Sequence, residues 1–327
     1  MTNVRSRGFS VVIPVLNEAG TIEGCLDSLL RATNADVDFE FLVVDGMSDD
    51  GTRDIVEAYS RKHSSVRLVD NEQQTTPAGF NKGFEVATND IIVLMSGHAR
   101  VTSGFFAHIQ KLFEERATNA DIVGSRVKPV ADGYVQRSIA GALMSRFGAG
   151  SKRFQTYEGY VDTVSYGAYK REVIETIDKM DPGLPRGQDY EYNKRARECG
   201  FTIYQSAEST TRYEPRSTFS GLFKQKFGNG RGKFRIYQQS KPQPHRGLRS
   251  LMTGSGLVVL SIFIPGSFLL LTILPLIYVL AMGATTIETI QNSERLSNLH
   301  APGIMLALGL IHGGYAAGLV SGLLASR

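Results

Sequence analysis

No tryptophan occurs in the 327 residues, and only two cysteines, Cys25 and Cys199, which lie far apart. A disulfide scaffold and a cysteine metal motif are thereby excluded, and a reducing compartment fits. The first hundred residues hold neither G-x-G-x-x-G nor G-x-x-x-x-G-K-[ST], so neither a dinucleotide fingerprint nor a P-loop explains any site there. No internal repeat is visible, and no signal peptide is expected, because MTNVRSRG leads straight into a strand. The most informative absence is of negative charge: between Glu214 and Glu288 there is no carboxylate. Residues 1–214 carry 25 basic and 30 acidic side chains, whereas residues 215–327 carry 11 and 2. The net charge of +4 therefore averages a mildly acidic globular part and a basic, apolar one. At 42% hydrophobic and 21% charged residues the chain is no disordered polymer.

The apolar part comes last. Ser250–Met282 and Ala301–Ser326 are uncharged, and each exceeds the roughly 20 residues needed to cross a bilayer core. Pro265 and Pro275 would kink the first, and Gly309, Gly313, Gly314 and Gly318 suit close helix contact in the second. A buried helical hairpin in a soluble protein is the competing reading. Lys241, Arg246 and Arg249 before the first stretch and Arg327 after the second place both termini in the cytoplasm by the positive-inside rule. The segment 216–249 interleaves basic residues with Phe219, Phe223, Phe227 and Phe234. Next to two spans it reads as an amphipathic segment on anionic headgroups rather than a nucleic-acid surface.

The first two hundred residues alternate. Strands are predicted at 9–14, 39–45, 66–70 and 90–95, with helices at 17–32, 52–63 and 77–87 between them. This pattern implies an α/β fold with a mostly parallel sheet and helices on both faces. Ligands of such sheets bind beyond the carboxyl ends of the strands, where Pro14–Glu18, Asp45–Asp50 and Ser96–Arg100 fall. Asp49 and Asp50 read as helix-capping residues. Asp45 is different: a carboxylate at the end of a buried strand is costly unless something donates to it, and a base N–H is one such donor.

The runs VVIPVLNEAGTIEGCLDSLL, VVDGMSDDGT and AGFNKGFEVATNDIIVLM together resemble family-2 glycosyltransferases of the GT-A fold. The DG spelling and the tetrapeptide Ser96-Gly97-His98-Ala99 are similar to the ExoA-like, membrane-attached enzymes of succinoglycan-type polysaccharide synthesis. The resemblance covers most of 9–235. It implies that Pro14, Asn17 and Glu18 line a nucleoside pocket and that Asp45 holds the base of a nucleotide-sugar, commonly UDP-linked. Asn81 and Lys82 would approach the ribose or diphosphate, and Ser96 the ribose. Relatives carry Asp-x-Asp after the fourth strand; here His98 stands at the metal-binding position, an imidazole that favours Mn²⁺ over Mg²⁺.

The resemblance also implies that GQDYEYNKRARECG (187–200) supplies the general base, with Gln188 in place of the usual Glu, Asp189 at the matching position and Glu191 next in line. Ser165-Tyr166-Gly167-Ala168 resembles the acceptor-side strand. In KQKFGNGRGK (224–233), Gln225 would meet the acceptor and Arg231 the diphosphate. The expected organisation is a GT-A domain over 1–215, a membrane-interface segment over 216–249 and a two-span hairpin over 250–327. The expected activity is metal-dependent, inverting transfer to a lipid-linked saccharide at the cytoplasmic face of the plasma membrane, with no nucleic acid involved. A polyprenyl-phosphate glycosyltransferase and a non-catalytic nucleotide-sugar-binding subunit stand as alternatives.

Overall fold

The structure is a computed structural model that describes residues 8–115, 118–148, 152–184, 186–239 and 268–325. They divide into two compact units: the described residues of 8–129 with 152–214, and those of 130–148 with 215–325. The sequence readings on 240–267, including Lys241, Arg246, Arg249, Pro265 and the start of the first apolar stretch, lie outside the described residues.

The first unit is built on a nine-stranded sheet. Strands β1 (Phe9–Val15), β2 (Phe39–Asp45), β3 (Val66–Asp70) and β4 (Ile91–Leu94) are all parallel. The helices α1 (Ile22–Arg31), α2 (Thr52–Lys62) and α3 (Thr76–Val86) alternate with them as predicted. Strands β1, β2 and β4 read as near-continuous apolar runs because both faces are buried, whereas β3 (VRLVD) lies at the edge and is partly exposed. Val11, Ile13, Phe41, Val43 and Val93 enter one core, and Val12, Leu42, Val44, Ile92 and Leu94 the other.

The spatial order β3-β2-β1-β4 places β4 beside β1, so the chain reverses direction of travel across the sheet there. A crevice at the strand ends follows from such a switch point. Beyond β4 the sheet is mixed. β5 (Arg100–Val101), β6 (Ile122–Pro129), β7 (Gly159–Tyr160), β8 (Ala168–Lys170) and β9 (Ile203–Tyr213) complete it. β8 is antiparallel to both β4 and β6, while β6 and β9 are parallel. Helices α4 (Phe105–Glu114), α6 (Arg171–Ile177) and α7 (Gln188–Glu198) belong to this unit.

The second unit is helical: α5 (Gly133–Met144), α8 (Phe219–Gln239), α9 (Phe268–Gln291) and α10 (Ala301–Ala325). Pro275 stands inside α9. Among the described residues one helical stretch, Asn298–Ala325, is long and apolar enough to cross a membrane, where the sequence predicts two.

Candidate active site

Three loops meet at the carboxyl ends of β1, β2 and β4. The loop after β1 is stitched to the loop after β2 by backbone and side chain. Asn17 N–H donates to Ser48 Oγ at 2.9 Å, and the Asn17 amide oxygen accepts from Asp49 N–H at 3.1 Å. Glu18 N–H donates to Thr52 Oγ1 at 2.9 Å, and Ala19 N–H to the Asp50 carboxylate at 3.0 Å. Asp50 also accepts from Thr52 N–H at 3.0 Å, but the residue that caps α2 is Gly51, without a side-chain bond, where the sequence reads Asp49 and Asp50 as the caps. The Thr52 hydroxyl, then the Ala19 amide, hold the Asp50 carboxyl below the usual range. Asn17 and Met47 both adopt positive φ, 55° and 62°. Asn tolerates that region; Met47 is strained there and nearly half exposed.

Asp45 is fully buried, and its donors are the protein's own. Ser48 donates through N–H at 3.0 Å and Oγ at 2.5 Å, and Arg53 Nη1 at 2.8 Å. The same Arg53 nitrogen reaches Asp70 at 2.8 Å. The carboxylate that the sequence reserves for a nucleobase thus already accepts three hydrogen bonds, from Ser48 and Arg53, and shapes the turn. Arg53 was not legible as a site residue; its signal is a cation eight positions beyond a buried acid.

The loop after β4 packs on the loop after β1 because Gly97 has no side chain: a Cβ there would stand 2.7 Å from Val15 Cγ1. This approach brings His98 Nδ1 to 2.8 Å from Glu18 Oε1. Burial raises the Glu18 pKa, but hydrogen bonds from His98 and Thr21 outweigh it and the net shift is downward. Among the described residues no group of three His, Cys, Asp or Glu side chains could hold a metal. The donor set on hand is one imidazole steered by a carboxylate, with Nε2 on the far side of the ring. That is how a metal-binding histidine is held by its outer partner, so it fits a single protein ligand to a cation and no more.

Ser96 Oγ is buried without a partner in hydrogen-bonding geometry, and the Tyr166 phenol lies against it. Burial raises the Tyr166 pKa; Ser96 and Arg153 lower it and Asp189 raises it, so the phenol feels all three groups. Tyr166 itself sits at φ 53°.

Asp189 stands in the first turn of α7, partly exposed at 42%. It accepts from Ser165 Oγ at 3.2 Å, and Arg153 Nη1 lies 4.0 Å away while donating to Ser165 Oγ at 2.5 Å. Arg153 belongs to a one-turn helix at Lys152–Phe154, in a loop with no sequence signal. Glu191 is less available: Arg195 holds both its oxygens, at 2.7 and 3.1 Å.

Two expected donor contacts have protein partners of their own. Asn81 is buried, donating to Met180 O at 2.8 Å and accepting from Met180 N–H at 2.7 Å, because an amide matches a backbone peptide's donor and acceptor. Lys82 is exposed beside Glu85. Pro14 packs on Gly79 of α3, where a Cβ would come within 2.8 Å of it. Gln225 and Arg231 lie on α8 in the second unit.

The family described as Glycosyl transferase family 2 matches residues 10–178. A Methanococcus voltae dolichyl N-acetyl-alpha-D-glucosaminyl phosphate 3-beta-D-2,3-diacetamido-2,3-dideoxy-beta-D-glucuronosyltransferase is 27% identical over 233 residues, 68% of this chain and 72% of its own. The succinoglycan biosynthesis protein ExoA of Rhizobium meliloti is 26% identical over 247 residues, 74% of this chain and 73% of its own. Among solved structures, the mannosyltransferase PcManGT from Pyrobaculum calidifontis, in complex with GDP-Man and Mn2+, superposes with a TM-score of 0.65. It covers 99% of this chain and 89% of its own at 15% identity, which speaks to the fold alone. The parallel β1–β4 core, the loops gathered at its carboxyl edge and the match over 10–178 make this chain a member of glycosyl transferase family 2, on a GT-A-like fold.

Proposed function

We propose that the protein is an inverting glycosyltransferase that moves a sugar from a nucleotide-sugar, UDP-linked, to a lipid-linked saccharide at the cytoplasmic face of a membrane. The observation that carries this reading is a partly open Asp189 that accepts a hydrogen bond from Ser165, in the same unit as the His98–Glu18 pair.

Asp189 takes the proton of the acceptor hydroxyl as that oxygen attacks the anomeric carbon from the face opposite the nucleotide diphosphate. One carbon–oxygen bond forms, the bond to the diphosphate breaks, and the nucleotide leaves unprotonated. A single carboxylate therefore suffices, where a glycosidase uses two. Arg153 sets the Ser165 hydroxyl, and Ser165 aims the base. A divalent cation, Mn²⁺ in preference to Mg²⁺, would be held by His98 with Glu18 behind it, and would neutralise charge on the departing diphosphate. The Asn17–Ser48 and Glu18–Thr52 bonds fix the edge of the nucleoside pocket, with Asp45 as the anchor of that loop.

The names of the Methanococcus and Rhizobium relatives, one acting on a dolichyl phosphate-linked sugar and one in succinoglycan biosynthesis, support a lipid-linked acceptor. The basic α8 and the apolar α10 support attachment to a membrane.

The test is Asp189→Asn in purified full-length protein, with nucleotide diphosphate release and donor affinity both measured. Donor affinity should stay within about threefold while turnover falls by about 10² or more. Retained turnover would move the reading to a lipid-phosphate acceptor, which needs little help from a base. Failure of the unsubstituted protein to turn over or hydrolyse any donor would leave only a binding subunit.

A further inference from the structure

We propose that Lys128, Arg212 and Arg100 form a subsite for the diphosphate of the lipid-linked acceptor. This rests on the transferase reading above and names the part of the acceptor that the first unit holds.

The observation is one of register. Along the sheet order β6-β9-β5, Lys128 stands opposite Arg212, and Arg212 opposite Arg100. The neighbouring row, Val127, Thr211 and Val101, is buried at 2%, 0% and 7% exposure. Side chains alternate along a strand, so the cationic row faces the other way, and all three of its members are exposed. Adjacent strands lie about 4.8 Å apart, which gathers three like charges across about 10 Å of backbone. Like charges directly opposite one another are destabilising.

The chain has acids with which to relieve this. Residues 1–214 carry 30 acidic side chains against 25 basic ones. Elsewhere in the first unit acids stand beside cations: Glu57 with Arg61 and Glu115 with Lys111 at 3.7 Å, Glu198 with Lys194 at 3.2 Å, Glu85 with Lys179 at 2.7 Å. Among the described residues Lys128, Arg212 and Arg100 have no such partner, although the exposed Glu214 follows Arg212 by two positions. Three cations set in register and left without an acid make a local positive field in an otherwise acidic segment, a place for an anion from outside.

The place of the row selects the anion. β8 is antiparallel to both β4 and β6, so the carboxyl ends of β6 and β9 share an edge with those of β1, β2 and β4. Lys128 and Arg212 are each one residue from those ends. Arg100 follows His98 by two positions, and its guanidinium is held against α1, where a Cβ on Gly24 would stand 2.7 Å from Nε. The nucleoside edge is made by the loops after β1 and β2, whereas β6 and β9 lie past β8, on the side of the sheet whose loops carry Ser165 and Asp189. A row that starts beside His98 and continues to that side meets the phosphates of the acceptor. Two guanidinium forks and an ammonium suit the many oxygens of a diphosphate better than a lone carboxylate. A broad anionic surface is the poorer fit, because residues 1–214 are net negative.

The experiment titrates the purified full chain with farnesyl diphosphate, a lipid diphosphate without a sugar, under saturating UDP. Lys128→Gln combined with Arg212→Gln should weaken binding about tenfold or more at low salt, and the difference should close toward about 1 M salt. Farnesol should bind both proteins alike. Absence of farnesyl diphosphate binding, equal affinity in both proteins, or an equal loss for farnesol overturns the subsite. Exclusion of farnesyl diphosphate by UDP also overturns it and assigns the row to the donor.

A structural role is separated by stability. Removing two opposed cations should leave the urea midpoint of the first unit unchanged or higher, read by labelling of buried Cys25 in a Cys199→Ser background. A lower midpoint makes the row structural and overturns the proposal. Donor turnover by the unsubstituted protein is followed in parallel. Equal farnesyl diphosphate affinity with turnover present overturns this subsite alone, whereas no turnover on any donor overturns the transferase reading with it.

Discussion

Replacing Arg53 with methionine removes the cation that pairs with Asp45, a fully buried carboxylate, at 2.8 Å. Breaking a buried ion pair by deleting one partner costs about 3–5 kcal/mol, because the other charge is left uncompensated. Two features reduce that here. Arg53 is itself 30% exposed, and Asp45 keeps both hydrogen bonds from Ser48. The lost pair with Asp70, itself 60% exposed, adds about 0–1 kcal/mol. The expected destabilisation of the first unit is therefore about 2–4 kcal/mol. Asp45→Asn combined with Arg53→Met should cost less than the two changes summed, by about 1 kcal/mol or more, since the double variant strands no charge.

Without tryptophan, a thiol is the better reporter. Cys25 is fully buried in the first unit, and burial pushes its thiol up to about 12, so it labels only on opening. The assay is Cys25 labelling in a Cys199→Ser background across a urea series. A loss below about 0.5 kcal/mol for Arg53→Met, or strict additivity in the double variant, would refute the anchoring role assigned to Arg53 and Asp45.

Two further outcomes follow from the site. Burial raises the Glu18 pKa, but His98 and Thr21 bring it below its ordinary value, so Glu18 favours the folded state. That contribution is complete above the unfolded carboxyl range, near pH 4.3, and is lost as pH falls through the lower folded value. Glu18→Gln should flatten the stability–pH curve over that acid window and, at neutral pH, lower stability without changing the slope; an unaltered acid limb would count against the pairing. Asn81→Ala strands both peptide groups of Met180 and should destabilise by about 1–3 kcal/mol, measured by the same labelling. Donor affinity should hold within about threefold; a loss of about tenfold or more would return Asn81 to the nucleotide.

The order of β1–β4 and their helices was legible because parallel strands buried on both faces spell unbroken apolar runs such as FSVVIP and FEFLVVD. Loop positions followed from where those runs stop. Partners inside the site were not legible, since they depend on which loops the sheet order brings together. Nothing in the spelling of Asp45 says that Arg53 and Ser48 would donate to it. Nor does Asn81 announce Met180, ninety-nine positions away. Arg153 carries no local pattern, and only the return of its loop to Ser165 gives it a place beside Asp189.

The same division holds for the apolar end of the chain. Composition by itself determined that residues 301–325 form a long greasy helix, because hydropathy and the lack of charge are properties of the string. Which face of that helix is free was decided by tertiary packing. Glycines at 314, 318 and 322 let α8 approach to backbone contact, so that face of the helix is covered by a neighbour bearing Lys224, Arg231 and Arg235. Hydropathy adds along a chain, whereas the energy of entering a membrane belongs to the packed surface.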